Sequence, residues 1–114
     1  MSDNATKVQF DPLVAISALL LDNTYGAAAT TYAHPVRQLI LQNNTSEPIM
    51  VSFDGVNDHI WVKDEVSMIL DFTSNAMGSF NQLQQVTGTK VYLRFEQAES
   101  FVNNFYISVM YASN

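Results

Sequence analysis

The chain has 114 residues, 47% hydrophobic and only 14% charged, with a formal net charge of −6 and no cysteine. That length sets a single domain able to bury its own core, and the missing cysteines exclude a disulfide framework and thiolate chemistry. The five basic residues, Lys7, Arg37, Lys63, Lys90 and Arg94, are scattered; a phosphate-tracking surface needs them clustered, so no direct nucleic-acid partner is expected.

No apolar run is long enough to cross a bilayer as a helix, so no membrane partner is expected. The opening residues, MSDNATKVQFDP, are polar and carry two acids. A signal peptide has neither feature, so the chain is expected to be made and kept, at least at first, in a cytoplasm.

Residues 1–11 read as a polar terminus that orders only when something holds it. Leu13, Ile16 and Leu20 recur at helical spacing, yet no good cap precedes them, so helix and strand both remain open for 13–21. Asp22-Asn23-Thr24-Tyr25-Gly26 is a turn. Ala27 to Ala33 is small in side chain and uncharged, fit for a strand or for an arm laid on a neighbour. Asp22 is the only charge between Pro12 and Ala33. Residues 1–33 are therefore read as an N-terminal arm or assembly segment, and 34–114 as a β-sandwich domain. Leu13, Ile16, Leu20, Tyr25 and Tyr32 are the expected assembly contacts.

From Val36 the pattern is β. Leu39 and Leu41 alternate with Gln38 and Ile40, and Ile49, Val51 and Phe53 with Met50 and Ser52. Between them Asn43-Asn44-Thr45-Ser46-Glu47-Pro48 is a polar loop. Its glycosylation-like triplets have no consequence without a secretory signal. Asp54-Gly55 signals a turn, His59 to Val62 a short strand, and Lys63-Asp64-Glu65 another turn. Val66, Met68, Leu70 and Phe72 form a second apolar stripe. Pro48 to Phe72 thus reads as a strand–turn–strand–turn–strand meander. Thr73 to Gly88 reads as a long connection with room for a helical turn at Phe80–Gln85. Val91, Leu93 and Phe95, then Phe105, Ile107, Val109 and Tyr111, are the stripes of two last strands that could pair as a hairpin. The expected fold is all-β: an antiparallel β-sandwich, jelly-roll or Ig-like, or a small barrel, with an extended N-terminal arm.

Little in this pattern points to chemistry. Asp54, Asn57, Asp58 and His59 offer oxygen and nitrogen ligands, but not the ligand ladder and terminal glutamate of a calcium loop. They are the weak metal candidates; a solvated turn is the simpler reading. His34 and His59 are the only plausible general bases, and neither sits in a G-x-S-x-G or H-E-x-x-H frame. No catalytic residue and no cofactor are expected. Phe95 and Phe105 belong in the core. Tyr92 and Tyr106 alternate with core residues and are the expected exposed contact face, with sugar stacking as a second reading.

The run from Leu39 to His59, with Ser52-Phe53-Asp54-Gly55, Asn57-Asp58-His59, Leu70-Asp71-Phe72 and Tyr106-Ile107-Ser108-Val109-Met110-Tyr111-Ala112, resembles small virion structural proteins of tailed bacteriophages. The resemblance spans about residues 36–112. It departs from the group at Lys63-Asp64-Glu65, where members carry glycine and small residues. It implies a non-enzymatic β-sandwich in the virion, made in the host bacterial cytoplasm. Such a subunit would assemble with itself and with capsid, portal or tail proteins as a decoration, neck or tail component. The runner-up reading is a carbohydrate- or receptor-binding module of the particle.

Overall fold

The computed structural model describes residues 7–72 and 86–113. The expected helical turn at Phe80–Gln85 lies outside them. Among the described residues nine strands form: β1 (Lys7–Phe10), β2 (Val14–Ser17), β3 (Ala28–Thr31), β4 (Val36–Asn43), β5 (Ile49–Ser52), β6 (Ile60–Val62), β7 (Val66–Asp71), β8 (Lys90–Phe95) and β9 (Asn104–Ser113). One 3₁₀ turn, Ala18–Leu20, follows β2. Residues 14–20, open between helix and strand in the sequence, are therefore strand and then a single tight turn.

Two antiparallel sheets pack face to face. The first has the order β1/β2–β9–β4–β7, and the second β3–β8–β5–β6. β1 and β2 lie end to end on the same side of β9, with Phe10 opposite Met110 and Val14 opposite Ile107. Pro12 lies between them. It has no N–H to give, so the edge strand breaks there, while the Asp11 amide still reaches the Val109 carbonyl at 3.0 Å. With β1 and β2 taken as one interrupted strand, the pairing is nested. The first strand pairs with the last, β3 with β8, β4 with β7, and β5 with β6. This is the strand order of a jelly roll: one long hairpin wrapped into two sheets.

The wrapping corrects three expectations. The last two strands are not a hairpin, because β8 and β9 lie in different sheets. The meander ends at β6, because β7 crosses over to pair with β4. The crossing turn is Lys63-Asp64-Glu65, where Glu65 takes a positive φ of 62° and donates its amide to the Asn43 carbonyl at 2.7 Å. Nor does the backbone set an arm apart from a domain at residue 34. β1, β2 and β3 complete both sheets of their own chain, β1 and β2 pairing with β9 and β3 with β8.

The core lies between the sheets. Val36, Leu39, Leu41, Phe105 and Ile107 face Ile49, Val51, Val62, Val91, Leu93 and Phe95, all buried. A register shift between Val36 and Gln38 turns Val36 inward beside Leu39, against strict alternation. Burying each such side chain contributes about 1.5–3 kcal/mol. Ile16, Ala18 and Tyr32, from the supposed arm, are part of this core.

One end of the sandwich is bolted by polar groups. The side chain of Asn43, 1% exposed, donates to the Val62 carbonyl of the opposite sheet and to the Glu47 carbonyl, each at 3.0 Å. Its Oδ1 accepts from the Thr45 amide at 3.0 Å and the Thr45 hydroxyl at 2.6 Å. Next to it the Ser100 hydroxyl, on the β8–β9 crossing, meets the Ser46 hydroxyl at 2.8 Å.

Asn43→Ala leaves buried amide and carbonyl groups without partners. It should lower the unfolding free energy by about 1–3 kcal/mol in urea titrations. Deletion of residues 1–33 should abolish the cooperative unfolding transition, since it strips one edge from each sheet. A truncated chain that melts like the full one would refute this placement of β1 to β3.

Candidate functional site

The acidic stretch that stood out in the sequence forms the turn from β5 to β6. Asp54 organises it. Its Oδ1 accepts from the amides of Val56 and Asn57, both at 2.8 Å, and its Oδ2 accepts from Asn57 Nδ2 at 2.9 Å. The Ser52 hydroxyl donates to Oδ1 at 2.9 Å and accepts from the Gly55 amide at 2.8 Å. The Asn57 and Val56 amides hold the Asp54 carboxyl far below the usual carboxylate range. His59 closes the turn. Its amide donates to the Val51 carbonyl at 2.9 Å, and its Nδ1 accepts from the Phe53 amide at 3.0 Å. The neutral ring therefore carries its proton on Nε2, 3.9 Å from Asp54 Oδ2. The ring also stacks on Phe53.

Gly55 is required here. Its φ is +79°, and a Cβ would stand 3.1 Å from the Tyr92 ring. The turn thus lies directly on the outer face of β8.

Asp58 faces the other way and joins three segments. Arg94 on β8 grips it with Nε to Oδ1 at 3.1 Å and Nη2 to Oδ2 at 2.7 Å. The Tyr25 hydroxyl donates to Oδ1 at 2.5 Å. The guanidinium lies 5.5 Å from the Tyr25 ring centre, and Tyr25 meets Tyr92 edge to face. The Arg94 and Tyr25 hydrogen bonds lower the Asp58 pKa. Burial first, and the Asp58 hydrogen bond next, push the Tyr25 phenol well above its ordinary value. Arg94 is raised in turn, chiefly by Asp58. The loop that carries Tyr25 is anchored at its start. Asp22 caps the Thr24 amide at 2.8 Å, and the Asp22 carbonyl accepts from the Phe95 amide at 2.8 Å.

The weak metal candidates are therefore neighbours in sequence with separate duties. Asp54 is filled by donors of its own turn, Asp58 by Arg94 and Tyr25, and the His59 Nδ1 by an amide. Among the described residues no three acidic or histidine side chains gather as a metal-binding group. His34, the other possible base, lies apart from this turn. It stacks on Tyr111 at 3.7 Å between ring centres, with Nδ1 3.1 Å from Asp11 Oδ1.

The expected assembly contacts divide. Ile16 and Tyr32 are buried in the chain's own core, and burial raises the Tyr32 phenol pKa. Tyr25 is committed to Asp58. Leu13, ahead of β2, and Leu20, beside Leu19 on the 3₁₀ turn, remain exposed, at 58% and 79%. Tyr92 and Tyr106 do not form one face: Tyr92 is on β8 in one sheet and Tyr106 on β9 in the other, so they point out of opposite sides. A cavity of about 280 Å³ opens between β2 and β3, lined by Ile16, Leu21, Ala29 and Leu93 among others. Among the described residues its one acidic lining residue is Asp22, whose carboxylate accepts from Thr24.

Sequence reasoning missed the Tyr25–Asp58–Arg94 junction. The three residues lie far apart in the chain, and no local pattern links them. No protein-family model, curated protein or solved structure matches this chain.

Two measurements probe the turn. Gly55→Ala forces a left-handed backbone on a residue with a Cβ and presses it on Tyr92, so it should cost about 1–2 kcal/mol of stability. The Asp58 effect has a definite sign. Its folded pKa is below the unfolded value of about 3.9, so its stabilisation is complete above that pH and is lost as pH falls through the folded pKa. Asp58→Asn should therefore flatten the acid limb of the stability–pH curve relative to wild type. An identical acid limb in both proteins would show that the junction does not couple to folding.

Proposed function

We propose that the chain is a non-enzymatic structural subunit of a tailed-phage virion. It works by assembly with itself and with capsid, neck or tail proteins, and it is made in the cytoplasm of the host bacterium. The observation that carries this reading is the outer face of the β1/β2–β9–β4–β7 sheet. Cross-strand register places Phe10, Met110, Gln38 and Asp71 in one row, Ser108, Ile40 and Ile69 in the next, and Ala15, Tyr106, Gln42 and Ser67 in a third. Asp71 is the single charge on those rows, in a chain of net charge −6. Phe10 and Ile69 are each 60% exposed there. A nearly charge-free sheet face with open apolar side chains suits contact with protein.

The charged groups support the same reading from the other side. Asp54, Asp58 and Arg94 serve turns and junctions, and the two histidines lie in separate surroundings. A jelly roll alone carries no function. Together with the resemblance in residues 36–112, however, it suits a subunit that acts through its surfaces.

Mass spectrometry of density-purified particles tests the proposal. The chain should be present at a fixed ratio to the major capsid protein. Its absence from intact particles would overturn the reading.

A further inference from the structure

The end of the sandwich bolted by Asn43 carries the β2–β3, β4–β5, β6–β7 and β8–β9 connections. Two of these run side by side. The Ala18 amide donates to the Asn103 carbonyl at 3.1 Å, the Phe95 amide to the Asp22 carbonyl at 2.8 Å, and Asn23 Nδ2 to the Gln97 carbonyl. They hold Leu19 and Leu20 on one loop and Phe101 and Val102 on the next. All four are exposed, Leu20 by 79% and Phe101 by 70%. Apolar tips gathered on braced loops mark a contact surface. Residues 1–6 and 73–85 join the described chain at Lys7, Phe72 and Val86, all at the opposite end, where Lys7 pairs with Ser113, Asp71 with Gln38, and Thr89 reaches Val86 and Tyr32.

Beside these tips the two sheets part. β3 shifts register between Ala28 and Thr30, and residues 26–29 are glycine and alanines, too small to fill the gap between β3 and β2. This is the cavity of about 280 Å³, with Ile16, Leu21 and Leu93 inside and Leu20 and Gly26 at its mouth. The polar side chains of its lining, Asp22 and Thr24, are bonded to each other at 2.8 Å. Small-molecule pockets orient their ligands with a few available polar groups. A cavity whose polar side chains already serve each other suits an apolar side chain that a polypeptide delivers.

Charge selects which polypeptide. Among the described residues the four connections carry six of the eleven acids and one base, Lys63, which stands 3.7 Å from Asp64. Lys7, Arg37 and Lys90 lie at the opposite end, and Arg94 is held by Asp58. Five of the six net negative charges therefore sit at the loop end. Glu96 and Glu99 are exposed there, on the loop that carries Phe101. Such a surface repels a second copy of itself and an anionic bilayer alike, and it attracts a cationic chain. We infer that this end docks a segment of another protein in which an apolar side chain stands between lysines or arginines. The apolar group enters the cavity beside Leu20, and its cationic neighbours meet Glu96 and Glu99. Such a docking end deepens the assembly reading above, on which it rests, by giving one partner its chemistry.

Two short synthetic peptides test this by NMR on the full chain, one with leucine and phenylalanine between lysines, the other with the same pair between glutamates. The lysine-flanked peptide should shift amides of residues 16–29 and 93–103 saturably, and the glutamate-flanked one should not. Raising salt from about 0.05 to about 0.5 M should weaken binding several-fold, as exposed charges are screened. Gly26 offers a variant that spares the fold. A Cβ there meets no heavy atom within 4 Å, so Gly26→Leu fills the mouth of the cavity and should weaken binding at least about tenfold. Glu96→Lys combined with Glu99→Lys should lose the lysine-flanked peptide and gain the glutamate-flanked one, a gain that a misfolded variant could not show. No saturable shift with the lysine-flanked peptide at millimolar concentration overturns the inference, as does undiminished binding by Gly26→Leu. So does a chain that instead dimerises through this end in sedimentation, or floats with vesicles of neutral lipid. None of these results touches the assembly reading, which stands or falls on the presence of the chain in particles.

Discussion

The two sheets of this jelly roll are held in register at one end by the side chain of Asn43. An asparagine offers two donors and two acceptor sites, and here all four are used inside the protein. The Val62 contact crosses from one sheet to the other. The Glu47 and Thr45 contacts fold the β4–β5 connection down onto the core. The Asn43 carbonyl also takes the Glu65 amide, which fixes the turn by which β7 changes sheets. Satisfied in this way, a buried polar group specifies one arrangement of the layers, because every alternative leaves it unpaired in a low dielectric. Apolar contact between the sheets is less selective: Leu39 or Phe105 would pack against several neighbours.

From that fixed end the chain spends its other polar residues on local closure. Asp54 satisfies the amides of its own turn. Asp22 does the same for Thr24. Asp58 and Arg94 close the space between two loops and β8, with Tyr25 above them. Each of these three acids has its donors close by, and they hold its carboxyl below the usual carboxylate range. On the outer face of the β1/β2–β9–β4–β7 sheet, the three register rows through Met110, Ser108 and Tyr106 carry one charge, Asp71. A surface with little charge to solvate is cheap to cover. Among the described residues the polarity is thus unevenly distributed, with Asp22, Asp54 and Asp58 at turns and the three outer rows of one sheet carrying Asp71 alone.

For the assembly role proposed above, that distribution is what the fold would contribute. A jelly roll has two layers and four edges, and a subunit that works by contact needs at least one face or edge that costs little to desolvate. The broken β1/β2 edge, the short β6 edge and the shifted β3 edge limit where another strand can add.

The sequence by itself determined the strands. Two-residue alternation placed β4, β5, β7, β8 and β9 and the inward sets Leu39–Leu41, Ile49–Val51, Val91–Leu93–Phe95 and Phe105–Ile107–Val109, because side-chain period is a local property of the pleat. It also located the Asp54-Gly55 turn, where only glycine suits the backbone. Pairing was not legible, because which strand lies beside which depends on contacts between residues far apart in the chain. Hence β8 and β9 looked like a hairpin and β1 to β3 like an arm, when the tertiary structure wraps them onto opposite layers. Asn43 and Thr45 looked like part of an ordinary polar loop, since nothing in Asn-Asn-Thr announces burial. Asp58 looked like a residue of a solvated turn, and only weakly like a metal ligand, whereas the fold brings Arg94 and Tyr25, 36 and 33 residues away, to its oxygens. Local chemistry could suggest the residues, but only the assembled sheets decided what each was for.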